Sequence, residues 1–142
     1  MPYTITVEKK VVRVTLKGCV TAHDLLALAA ESQNYEINVK VVPHRITDMT
    51  QIEEMAIHYP DISVLAANRG KIQFPNAFKS AIIACNSHHL GYATMFQTLN
   101  TNPQIIIQIF SDEASAIQWI ASPVDLTFAK LARQARSSES RV

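Results

Sequence analysis

The sequence predicts an α/β fold: one domain, a mainly parallel sheet of about five strands with helices on both faces, and an N-terminal antiparallel hairpin. Three observations carry this. Tyr3 to Glu8 alternates apolar and polar residues, and Val12, Val14 and Leu16 repeat the pattern after a short Lys9-Lys10 turn, as in a hairpin. Ala81 to Cys85 is an unbroken small, apolar run, too short for a helix, of the kind found in strands buried on both faces. From Lys79 to Phe110 the pattern reads strand, helix, strand, a crossover unit of about 30 residues.

Taken in order, Gly18 is expected to end the hairpin, and Thr21-Ala22-His23-Asp24 to open a helix through a capping box. Leu25, Leu28 and Ala29 form its inward stripe, and the spacing carries it to Ser32. Tyr35 to Val42 reads as extended, with Pro43 removing a ladder donor, so the next core strand is placed at His44 to Asp48. Asp48-Met49-Thr50 then leaves that strand at its C-terminal end. Ile52, Met55 and Ala56 have helical spacing but are cut off by Pro60, which serves better as the start of a helix carrying Ile62, Leu65, Ala66 and Arg69. Gly70 stops it.

Tyr92, Met95, Phe96 and Leu99 mark the helix after the Ala81 strand, Asn102-Pro103 breaks the chain, and Gln104 to Phe110 forms the next strand. Ser111-Asp112-Glu113 opens a closing helix whose stripe is Ala114, Ile117, Ile120 and Ala121, with Trp119 beside it sealing a sheet edge. The domain is thus expected over residues 1–122. Residues 123–142 are expected to carry a short helix over Val124 to Arg136 and a polar tail.

At 142 residues the chain suits one domain with a core of its own. A net charge of +1, with no basic block before the C-terminus, argues against nucleic acid as a partner. Cys19 and Cys85 lack CxxC spacing and sit in apolar patterns, where a free cysteine is a small buried hydrophobe. No apolar run reaches the ~18 residues of a membrane span, and no signal peptide is evident, so a cytoplasmic location is expected.

The order of these elements, with particular residues at their joints, resembles the SpoIIAA-like family, related to STAS domains. The resemblance runs over residues 3 to 121, through the hairpin and capped helix, Arg45-Ile46-Thr47-Asp48-Met49-Thr50, Ala81-Ile82-Ile83-Ala84, Gly91-Tyr92-Ala93-Thr94-Met95-Phe96, and Phe110 to Ile120 with its Trp119. It implies a regulatory module in which a kinase phosphorylates a serine soon after an Asp-bearing strand. Here Asp48 is followed by Met-Thr-Gln-Ile-Glu-Glu-Met with no serine, and the nearby hydroxyls are Thr47, Thr50 and Tyr59, so no phospho-serine switch is expected. The general folding pattern also resembles Sec14-type (CRAL-TRIO) lipid carriers.

Candidate site residues follow from position. Ligands of open α/β sheets gather at strand C-terminal ends and helix N-termini, which selects Asp48, Thr50, Asn86, Ser87 and His88. The plain alternative is that Asn86 or Ser87 caps a helix whose exposed first turn carries the two histidines. Ser87 lacks a GxSxG elbow, and Cys85 has no assignable base, so catalytic residues are not expected. The five histidines lack metal-site spacing, Asp48 at a strand end more often caps a turn or helix than coordinates, and no metal or cofactor is expected.

Met55, Tyr59, Phe74 and Phe78 belong to segments more apolar than surface connections usually are. They mark a satellite core, a pocket for a small apolar or lipid-like ligand, or a dimer contact, and a homodimer with Phe74 or Phe78 near its contact is the expectation. The expectation is a non-enzymatic binding or regulatory module, with a ligand carrier as the alternative and an enzyme third.

Overall fold

The computed structural model describes residues 2–8 and 10–123. The helix expected over 124–136 and the tail after it lie outside the described residues. The chain runs β1 (Tyr3–Glu8), β2 (Val11–Thr21), α1 (Ala22–Asn38), β3 (His44–Ala56), α2 (Tyr59–Gly70), β4 (Phe78–Ile83), α3 (Ser87–Leu99), β5 (Ile105–Phe110) and α4 (Glu113–Ala121).

The five strands lie side by side in chain order, β1-β2-β3-β4-β5. The first pair is antiparallel and the other three are parallel. β3 is therefore the middle strand, and the Ala81 strand is fourth. Successive parallel strands that always step to the same side place their crossover helices on one face when every crossover has the same hand. Here α1, α2 and α3 cover one face together with Val14, Leu16, Phe78, Ile82 and Ile105, while α4 covers the other with Ile46, Ala81 and Ile83. Helices lie on both faces as expected, in a three-to-one split.

β2 and β3 are longer than the hairpin and core strand expected from sequence, and Gly18 does not end β2. Past Asp48, β3 continues to Ala56, paired with β2 from Lys17 to Thr21. β3 carries one extra residue opposite Thr15–Lys17 and another opposite Gly18–Cys19, and Gly18 takes φ +69° beside them. A bulge shifts the alternation by one, so residues three apart can face the same side. Ile52 and Met55 both turn inward for this reason, which is why the segment imitates helical spacing.

α1 also exceeds its expected end. It continues to Asn38 because Leu28, Ser32 and Glu36 keep the inward stripe at four-residue spacing, so the extended reading of Tyr35 to Val42 fails for its first four residues. Its capping box is present: the Thr21 hydroxyl accepts from the Asp24 N–H at 3.2 Å, and the Asp24 carboxylate accepts from the Thr21 N–H at 2.9 Å. In α4 the buried residues are Ala116 and Ile120, with Trp119 partly buried against Phe110. Ala114, Ile117 and Ala121 are exposed, about a residue out of phase with the expected stripe. Lys79, reaching from β4, donates from Nζ to the Trp119 and Ser122 carbonyls at 2.7 Å and so closes the C-terminus of α4.

Candidate functional site

The three-helix face does not close completely. A cavity of about 110 Å³ remains between the sheet and the helices, walled by Leu16 and Met55 from the long ribbon, Leu25 and Leu28 from α1, Ile62 from α2, and Tyr92, Ala93 and Phe96 from α3. Tyr92 is buried and fixed by donating its hydroxyl proton to the Ile57 carbonyl at 3.2 Å.

The other side of this cavity is charged. Arg69 faces inward from α2 and meets Glu36 of α1 through two parallel bonds of 2.6 and 2.9 Å, both side chains being buried. Such a fork-to-fork pair is the geometry in which a guanidinium and a carboxylate satisfy each other best. Arg45, from β3, lies beside the pair and lines the same cavity. Its Nε donates to the Thr47 hydroxyl at 3.3 Å, and no carboxylate lies within ion-pair distance of it among the described residues. Burial, reinforced by the like charge of Arg69 and only partly offset by Glu36, pushes the Arg45 pKa down to about 10. Two cations thus share one carboxylate.

Arg45 also borders an adjoining hollow of about 250 Å³ between the hairpin and α1, together with Ile5, Val12, Ser32 and Tyr35. Ser32 is 6% exposed, and its hydroxyl has no hydrogen-bond partner.

The residues selected from sequence fall elsewhere and apart from one another. Asp48 lies within β3, not at its end, on the α4 face. Its carboxylate accepts from the Thr50 N–H and hydroxyl at 2.8 and 2.6 Å, and from Arg13 at 3.3 Å. Arg13 also bridges to Glu113 at the start of α4, so Asp48 serves as a local staple. Thr50 is exposed. Asn86 is the N-cap of α3, accepting from the His88 and His89 N–H groups, which is the plain capping alternative. Ser87 and His88 are exposed, whereas His89 is buried. Asn86, Ser87 and His88 share no hydrogen bond with Asp48 or Thr50. Cys85 and Cys19 are exposed rather than buried, since β4 ends at Ile83 and Cys19 points away from the core.

The apolar segments fold inward. Phe78 is 0% and Phe74 6% exposed, and they pack edge to face with centroids 5.1 Å apart. Neither ring is therefore open at the surface of the chain, where the dimer contact was expected. Met55 lines the cavity, and Tyr59 remains 63% exposed with its ring 5.6 Å from that of Tyr92.

Sequence reasoning passed over Glu36 and Ser32 and took Arg45 and Arg69 only as members of a motif and a helical stripe. A signal was present: Arg69 stands on the stripe of Ile62, Leu65 and Ala66, and Glu36 on that of Leu28 and Ser32. Opposite charges on the inward stripes of two neighbouring helices point to a buried pair. Among the described residues no three His, Cys, Asp or Glu side chains come together as a metal set. No described helix is long and apolar enough to cross a membrane.

No protein-family model matches the chain, and no curated protein is similar to it in sequence. Solved structures are similar in fold. An uncharacterised protein of the DUF3478 family from Shewanella loihica PV-4, described as having a SpoIIAA-like fold, superposes with a TM-score of 0.56 at 16% identity, covering 84% of this chain and 92% of its own. The anti-sigma factor antagonist SpoIIAA in its unphosphorylated form gives a TM-score of 0.53 at 12% identity over 85% of this chain and 99% of that one. The fold is SpoIIAA-like.

Proposed function

We propose that this chain, with its SpoIIAA-like fold, is a non-enzymatic binding module that holds a small, largely apolar molecule between its sheet and helices α1 to α3. The observation that supports this reading is the cavity of about 110 Å³, apolar over most of its wall. Cavities of similar size, about 150 Å³, stay dry and accept small hydrocarbons when their walls are apolar. The walls come from the ribbon and from three helices, so occupancy would be felt by every element on that face. Native mass spectrometry of freshly purified protein tests the reading. A small non-covalent adduct is expected on the wild type and not on Ala93→Phe, whose ring would fill the space. Bare protein in both cases counts against it.

A second reading, a docking site for a protein partner or a second copy, is favoured by Tyr59 alone among the candidate interface residues, because it stays open to solvent. The SpoIIAA structure is described as that of an anti-sigma factor antagonist, a role exercised on another protein. Light scattering on the wild type and Tyr59→Asp distinguishes association through this residue from a monomer.

A further inference from the structure

The apolar cavity is bordered by a cation whose charge the fold does not balance. Arg45 and Arg69 line the cavity, and Glu36, behind Arg69, spends both carboxylate oxygens on it, at 2.6 and 2.9 Å. That leaves Arg45 with only the Thr47 hydroxyl at 3.3 Å as a side-chain acceptor. A guanidinium carries five donors and cannot shed its charge at neutral pH, so placing it against an apolar wall is costly without an anion. Ser32 supplies an independent observation. It is 6% exposed, its hydroxyl is unpartnered, and it lines the hollow that Arg45 also borders. Unsatisfied buried polar groups are rare in folded proteins, and each calls for a partner from outside the chain, a water or a bound molecule. A half-buried cation without a carboxylate partner and a buried hydroxyl without any partner thus lie beside a space lined largely by hydrocarbon.

We propose that the ligand is a small amphipathic monocarboxylate, its head group accepting from Arg45 and its apolar part lying in the cavity against Leu28, Met55 and Phe96. This rests on the function proposed above and gives that ligand its chemical class. The planar fork of a guanidinium matches a carboxylate in two parallel bonds. One negative charge brings Arg45, Arg69 and Glu36 together to neutrality; Glu31, which borders the adjoining hollow, is exposed to solvent and makes no ion pair with Arg45. The size of the space selects a short chain, on the order of six carbons, since about 150 Å³ suffices for benzene. Glu31 and Glu36 also border the adjoining hollow, which disfavours a more highly charged head group such as a phosphate dianion.

Titrating wild type, Arg45→Met and Arg45→Lys with hexanoate, 1-hexanol and inorganic phosphate tests this, read by calorimetry and by shifts in melting temperature. Wild type is expected to bind hexanoate at least tenfold more tightly than 1-hexanol and to ignore phosphate. Arg45→Met, which removes an unbalanced charge, is expected to remain folded with an unchanged or higher melting temperature. It should lose the preference for hexanoate while still accepting 1-hexanol. Arg45→Lys should retain part of the preference, because the charge survives without the fork. Equal binding of hexanoate and 1-hexanol by wild type overturns the carboxylate and leaves the apolar site standing. So does a hexanoate preference that persists in Arg45→Met. Phosphate binding as tight as hexanoate binding overturns it in favour of a bare anion site. Failure of both six-carbon probes overturns the cavity reading itself.

Discussion

At the scale of single residues, the buried charges decide most. Glu36 and Arg69 neutralise each other across two helices, and removing one partner strands the other. Glu36→Gln should therefore cost about 3–5 kcal/mol, read from denaturant unfolding, since an uncompensated buried charge is worse than either a pair or none. Histidines make stability sensitive to acid. His44 accepts from the Lys79 N–H through Nδ1 at 2.9 Å, which requires that nitrogen to be unprotonated. Burial, with the nearby Lys79 charge, lowers the His44 pKa, and burial with His88 lowers that of His89. The unfolded chain thus takes up protons first as pH falls below about 6.5. Stability should be full above that value, decline as pH falls through the lowered folded pKa values, and level off beneath them. Melting curves across this range should show a shallower decline for His44→Gln, whose amide oxygen accepts without titrating.

At the scale of elements, the sequence was legible wherever one periodicity governed a segment. The capping box of α1, the Pro60 start of α2, the Ile62–Leu65–Ala66–Arg69 stripe and the β4-α3-β5 unit are all present. It was illegible where a tertiary partner reset the pattern. β3 past Asp48 is a strand because β2 pairs with it, and two bulges give its inward residues a helix-like spacing. The C-terminal half of α1 stays helical through a contact with α2 that lies 33 residues away in sequence. The cavity was equally hidden, because local sequence shows which residues face inward but not whether they meet. Two glycines make the difference between elements measurable. Gly18 sits at φ +69° with open space around it, so Gly18→Ala should cost about 1–2 kcal/mol from backbone strain alone. Gly91 lies inside α3, also in open space, so Gly91→Ala should instead stabilise by about 0.5–1 kcal/mol. Trp119, only partly buried against the α4-face cluster, should cost about 2 kcal/mol on truncation to alanine, less than a fully buried ring would.

At the scale of the whole molecule, two faces of one sheet carry different duties. The α4 face is a compact cluster around Ala81, Ile83 and Ala116, pinned by Lys79 and by the Asp48–Arg13–Glu113 chain. The other face holds the larger core and the cavity. Phe78→Asp should accordingly abolish folding, seen as loss of a cooperative melt, and should not yield a folded monomer, because its ring is wholly enclosed. The strand order has a consequence for synthesis. Since β1 to β5 lie in the order in which they are made, each strand leaving the ribosome finds its neighbour already in place and takes the edge left open for it. No strand must be inserted between two that have already paired. The sheet can therefore grow from one side to the other as the chain emerges, and the unpaired edge that invites aggregation is covered by the next segment to appear.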